Sequence, residues 1–126
     1  METTKTSYLV VEDEPILRAL IVRMLSSPLR EVVAAASGPE ALAYLKDHPG
    51  ATVLSDMSMP GMNGLELLKQ MRAAHYANRF FFMSGSIETE NLTELPRLEV
   101  AGVLHKPFGR KEINGLFPET APGEKG

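Results

Sequence analysis

Five short β-rich runs alternate with stretches of helical apolar periodicity along almost the whole chain, and this alternation limits the fold more than any other feature. The runs are Tyr8–Val11, Glu31–Ala36, Thr52–Asp56, Arg79–Met83 and Ala101–Leu104. After Pro15, Ile16, Leu17, Leu20, Ile21 and Met24 recur at helical spacing, with Arg18 and Arg23 on the other face. Ser37-Gly38-Pro39-Glu40 is a Ser-x-x-Glu capping box that opens a second helix through Ala41, Leu42 and Leu45. Asn63 and Glu66 open a third, spaced by Leu65, Leu68 and Met71. A fourth segment, Thr89–Leu98, carries Pro96, which removes a backbone donor and clashes with the preceding turn, so a weakened helix is expected there. The fifth, from Arg110, meets Pro118 and is expected to be short. Strict β-α alternation predicts an α/β fold: a doubly wound five-stranded parallel sheet with helices on both faces and right-handed crossovers. Phe80-Phe81-Phe82, apolar without a break, suits a strand covered on both sides.

The 126 residues, 44% of them hydrophobic, support a single domain spanning 1–126, with a core at 7–117 and a Pro-, Gly- and charge-rich tail, 118–126, expected to be disordered. Neither an internal repeat nor a linker is visible. A net charge of −3, with the 13 Lys and Arg residues scattered, argues against direct nucleic-acid binding. The absence of cysteine excludes disulfides, thiolate metal sites and thiol catalysis, and suits a reducing cytoplasm. No signal-type leader or long apolar run points to a membrane, so a soluble protein is expected.

Every predicted strand that carries polar chemistry carries it at its carboxyl end: Glu12 and Asp13, then Asp56, then Ser84, then Lys106. In a doubly wound sheet these ends converge on one edge, where such folds bind ligands. Carboxylates brought together there repel unless a cation lies between them, and an oxygen-only donor set selects a hard ion such as Mg²⁺. A lysine and a hydroxyl beside that metal suit a phosphoryl group, with Asp56 as a nucleophile forming an aspartyl phosphate. Plainer roles compete for each residue: Asp56 as a turn residue, and Glu12-Asp13-Glu14 as an acidic helix start. Met57, Met59 and Met62 read as loop packing, His105 as surface, and Phe80 to Phe82 as core.

Val10-Val11-Glu12-Asp13-Glu14-Pro15, Ser37-Gly38-Pro39-Glu40-Ala41-Leu42, Asp56-Met57-Ser58-Met59-Pro60-Gly61-Met62-Asn63-Gly64, Met83-Ser84-Gly85 and Lys106-Pro107-Phe108 together resemble the receiver domain of two-component response regulators. The resemblance covers residues 7 to 117. It implies a flavodoxin-like fold with strand order 2-1-3-4-5, which the chemotaxis regulator of this family exemplifies. It also implies that Asp56 accepts a phosphoryl group from a histidine kinase or histidine phosphotransfer protein. Asp13, Asp56 and the main-chain carbonyl of Ser58 become Mg²⁺ ligands, with Glu12 acting directly or through a water. Ser84 becomes the hydroxyl that reports phosphorylation, and Lys106 the cation on the phosphoryl oxygens. The protein is then a phosphorelay switch acting on an unnamed downstream protein. Its own catalysis is confined to taking and losing the phosphoryl group, so it is not an enzyme in the ordinary sense.

Departures from the family pattern bear on output. Val103 stands at the aromatic switch position, three residues before Lys106, and Pro96 and Pro118 weaken the fourth and fifth helices. A monomer is therefore expected. Without a following output domain, the chain reads as a stand-alone regulator or as a receiver excised from a hybrid histidine kinase. Among other classes, an Mg²⁺-dependent Asp-nucleophile phosphatase of the haloacid dehalogenase type needs a second Asp two residues after the nucleophile, where this chain has Ser58. A flavin carrier needs a Ser-, Thr- and Gly-rich loop where Glu12-Asp13-Glu14 would repel phosphate. A receiver-like module serving only for interaction is disfavoured by the complete set of acidic, hydroxyl and lysine residues.

Overall fold

Successive residues of a strand point to opposite faces of its sheet, so a strand apolar at every position has to be covered on both sides. The computed structural model, which describes residues 6–84 and 98–117, meets that requirement. In chain order its elements are β1 (Thr6–Val11), α1 (Pro15–Leu25), β2 (Arg30–Ala35), α2 (Gly38–Leu45), β3 (Thr52–Asp56), α3 (Gly64–Ala73), β4 (Phe80–Ser84), β5 (Gly102–His105) and α4 (Arg110–Leu116). The five strands form one parallel sheet in the order β2-β1-β3-β4-β5, the flavodoxin-like arrangement. Most of the expected Thr89–Leu98 helix, Pro96 included, lies outside the described residues, as does the 118–126 tail.

The core divides in two along the pleat. Leu9, Val11, Val53, Phe80 and Phe82 face α2 and α3, where Ala41, Leu45, Leu67, Leu68 and Met71 cover them. Tyr8, Val10, Leu54, Phe81, Met83 and Leu104 face α1 and α4, against Ile21, Leu25, Ile113 and Phe117. Adjacent residues of one strand thus enter different cores, and at about 25 cal/mol per Å² of buried apolar surface both layers contribute to stability.

Helix starts follow their capping residues. Glu14 is the N-cap of α1, accepting from the Ile16 and Leu17 N–H groups at 3.0 and 3.3 Å. Asn63 and Glu66 form a reciprocal capping box at α3, with bonds of 2.8 and 3.3 Å. At α2 the box is only half made: the Glu40 N–H donates to Ser37 Oγ at 3.3 Å, while the Glu40 carboxylate accepts from the Ala36 N–H instead of the Ser37 N–H. The apolar stripe of α1 also differs from a simple core face. Ile21 is fully buried, but Ile16 is 79% and Leu20 49% exposed. No described helix is long and apolar enough to cross a membrane.

Candidate functional site

The sheet register decides which strand ends meet. Val11 pairs with Ser55 across β1 and β3, so the next residues, Glu12 and Asp56, leave neighbouring strands at one level. Asp56 pairs with Met83, and Met83 with Leu104, so Ser84 follows one residue and Lys106 two residues further along the same edge. The Lys106 N–H donates to the Ser84 carbonyl at 2.7 Å, continuing the β4–β5 ladder past the named strand.

Three carboxylates converge there. Glu12, Asp13 and Asp56 each offer an oxygen, and these lie within 4.8 Å of one another. Glu12 and Asp56 are buried, whereas Asp13 is exposed. Lys106 Nζ stands between the buried pair, 3.3 Å from Glu12 Oε1 and 3.4 Å from Asp56 Oδ1. Asp56 Oδ1 also accepts from the Ser58 N–H at 3.3 Å, which folds the start of the β3–α3 loop over the carboxylate. Burial, and then the Asp56 charge, push the Glu12 carboxyl above its ordinary range, against the opposing pull of the Glu14 N–H and Lys106.

This donor set fits a hard divalent cation. It is oxygen-only, and one lysine cannot balance the charge of three carboxylates, which leaves a net negative pocket with one open, solvated ligand in Asp13. The acidic run of the sequence therefore divides its work: Glu14 caps α1, and Glu12 and Asp13 join Asp56.

The loop after Asp56 is shaped by close approach. A Cβ on Gly64 would lie 2.5 Å from the Asp56 carbonyl oxygen and 3.1 Å from Met57 Cα, so only glycine lets α3 begin this close to the carboxylate. Gly61, at φ 77°, turns the loop in the left-handed region. Met59 is buried in the core below, and Met57 and Met62 pack against it, which makes the methionines loop packing. His105 is exposed.

One participant is not visible in the sequence pattern. Arg18, one turn into α1 on the nominally polar face, donates from Nη1 to the Glu12 carbonyl at 2.9 Å. The available signal is spacing: a long side chain one turn past a Pro-led helix start can fold back to the strand end that precedes it.

Comparison with known proteins identifies the family and the fold. A family model described as the response regulator receiver domain matches residues 8–117. The chain is similar to the sensor kinase CckA of Brucella abortus, 40% identical over 109 residues, covering 85% of this chain but 12% of that protein. The chain thus spans about an eighth of that relative's length. It is also similar to the sporulation initiation phosphotransferase F of Bacillus subtilis, 29% identical over 114 residues, covering 90% of this chain and 92% of that one. Among solved structures it resembles the chemotaxis protein CheY4 of Vibrio cholerae, with a TM-score of 0.83, 25% identity, and coverage of 94% of this chain and 100% of that one.

Proposed function

The chain belongs to the response regulator receiver domain family, the phosphoaccepting modules of two-component signalling, and on that premise we propose that Asp56 is its phosphoacceptor, taking the group from a histidine kinase or histidine phosphotransfer protein. The observation that carries this reading is the lysine-bridged carboxylate pair, Glu12 and Asp56, with Asp13 beside it at the carboxyl edge of the sheet. Glu12, Asp13 and Asp56 would hold Mg²⁺, joined by the Ser58 main-chain carbonyl as the family resemblance implies, and the charge such an ion supplies would offset that of the carboxylates and of an incoming phosphoryl group.

An Asp56 carboxylate oxygen attacks phosphorus in line with the phosphohistidine P–N bond. The new P–O bond forms as the P–N bond breaks, and the imidazole nitrogen leaves with the electron pair. Lys106 Nζ, already 3.4 Å from Asp56 Oδ1, follows the charge onto the phosphoryl oxygens. Ser84, buried at the end of β4, supplies the hydroxyl that responds to the new group.

The phosphodonor's surface has a counterpart beside the site. Exposed Leu20, with Leu17, Ile21 and Met24, lines an open groove of about 370 Å³ closed on its other side by Lys106, Pro107 and Phe108. This is an apolar surface on which a helix bearing the histidine can lie. The cysteine-free composition accords with a cytoplasmic setting.

Mass measurement after incubation with acetyl phosphate and Mg²⁺ tests the reading. One phosphoryl group is expected on the wild-type chain and none on Asp56→Asn. A phosphoryl group that persists on Asp56→Asn overturns the assignment.

A further inference from the structure

We infer that Arg18 is a positioning residue for the metal pocket: by donating to the Glu12 main-chain carbonyl at 2.9 Å, it ties α1 back to the end of β1 and holds Glu12 and Asp13 facing Asp56. This rests on the reading of those three carboxylates as the Mg²⁺ site.

Only residues 12 to 14 separate β1 from α1, and two of them, Glu12 and Asp13, are site carboxylates that repel each other and Asp56. Repulsion favours any motion of this turn that spreads the oxygens apart. Glu12 is held against that motion at four points. Its N–H donates to the Ala35 carbonyl at 3.1 Å, its Oε2 accepts from the Glu14 N–H at 3.3 Å, and its Oε1 meets Lys106 at 3.3 Å. The fourth point is its carbonyl, and that bond alone among the four reaches into α1. The Lys106 tie is directed at the same carboxylate that a divalent cation would engage, so it weakens as that cation binds. The Arg18 tie is to the main chain and not to a carboxylate that such a cation would engage. It is also the tie nearest to Asp13, the next residue, whose exposed carboxylate takes its direction from this turn.

Positioning and charge make opposite predictions. A guanidinium acting only as a nearby cation would compete with Mg²⁺, so its removal would tighten metal binding. A guanidinium that orders the turn raises the fraction of molecules ready to bind, and the apparent dissociation constant varies inversely with that fraction. Loss of order is then recoverable by more metal.

The test measures acetyl phosphate-driven phosphorylation of the whole chain against Mg²⁺ concentration in wild type, Arg18→Ala and Arg18→Lys. Mn²⁺ binding by water-proton relaxation provides a readout that needs no turnover, and circular dichroism checks the fold. Arg18→Ala is expected to raise the half-saturating Mg²⁺ and the Mn²⁺ dissociation constant about tenfold, the lower end of the effect of losing an outer-shell partner. The rate at saturating Mg²⁺ is expected to stay within about twofold of wild type, since the reacting groups are intact. Arg18→Lys, which keeps one donor, is expected to recover most of the affinity. Wild-type metal dependence in Arg18→Ala, tighter binding, or a lost rate that metal does not restore each overturns the proposal while leaving the pocket in place. Wild-type protein that binds no Mn²⁺ overturns the pocket itself, and this inference with it.

Discussion

Glu12 sits at a cost that the site itself imposes. Burial and the Asp56 carboxylate raise its pKa above the ordinary 4.5, more than the Glu14 N–H and Lys106 lower it. A carboxyl with a raised folded-state pKa costs nothing below 4.5, where it is protonated folded and unfolded alike. The cost grows as pH rises through the folded value and is complete above it. Metal-free Glu12→Gln is therefore expected to melt higher than wild type at pH 8, with the gap closing as pH falls towards 4.5. In saturating Mg²⁺ the order is expected to reverse, because the variant has lost a ligand; a lower metal-free melting temperature at pH 8 would count against this account. Lys106 and Ser84 differ in kind. Lys106→Ala removes the cation 3.4 Å from Asp56 Oδ1 and should slow phosphorylation by acetyl phosphate roughly 10²-fold, the usual cost of one charge-stabilising donor. Ser84→Ala should keep the rate within about threefold while shrinking the amide shift changes induced by beryllofluoride, since no reacting bond passes through the hydroxyl. Equal rate losses would argue against separate roles.

Among the elements, α4 is the one whose stability needs explaining. Seven residues make a helix too short to hold itself, so it depends on what it touches. Phe117, just past its end, is fully buried with edge-to-face contacts to Tyr8 and Phe81 at 5.6 and 4.6 Å. Arg30, buried at the start of β2, donates to the Phe117 carbonyl at 2.6 Å, to Asn114 Oδ1 at 2.8 Å and to the Leu25 carbonyl at 3.1 Å. One guanidinium thus satisfies the carboxyl ends of α1 and α4 and places a positive charge where both helix dipoles are negative. Phe117→Ala is expected to destabilise the chain by about 3–5 kcal/mol in denaturant titration. Arg30→Met, by removing the donors from those carbonyls, should speed amide exchange in α4 well before it does so in β1 and β3. Uniform acceleration across the chain would show that α4 is not separately anchored this way. Arg72 of α3 plays a similar part, donating to the Leu98 and Tyr76 carbonyls at 2.8 and 2.7 Å and so tying α3 to the approach to β5.

For the whole molecule, the α4–β5 face offers little to a second copy. Val103 is half-buried and packs against the core under α2 and α3, with no ring to exchange between an inner and an outer position. Leu116, 40% exposed, is the single large apolar side chain of α4 among the exposed ones described. A phosphorylation-driven dimer needs a surface that differs between states, and among the described residues β5 has no ring at Val103 to supply one. Light scattering at micromolar concentration is expected to give a monomer with and without beryllofluoride and Mg²⁺. A shift to dimer on activation would show that α4 and β5 associate without a ring at position 103. The Ser84–Glu90 loop, expected to respond to phosphorylation alongside Met57–Gly64, lies beyond Ser84 outside the described residues.

Local chemistry was enough to read the order and type of the described elements from the sequence, and to group the residues of the candidate site. Period-2 and period-3.6 apolar patterns, Pro15, and the Asn63–Glu66 box are short-range signals, and β-α alternation then leaves few topologies. Glu12, Asp13, Asp56, Ser84 and Lys106 could be grouped because each follows a strand, and parallel strands put all such ends on one edge. Boundaries shifted by a residue or two, with β1 beginning at Thr6 and β2 at Arg30, because ladder pairing with a neighbouring strand extends a strand past its own propensity. What tertiary structure decided was direction and distance. The same arginine type is a fold-back tether at Arg18, a buried double cap at Arg30 and a loop clamp at Arg72, while Ile16 and Leu20 of an apolar stripe face solvent. A long side chain or a helix face acquires its role from whatever lies within reach, and that neighbour is set by register and packing between segments far apart in the chain, which no local pattern encodes.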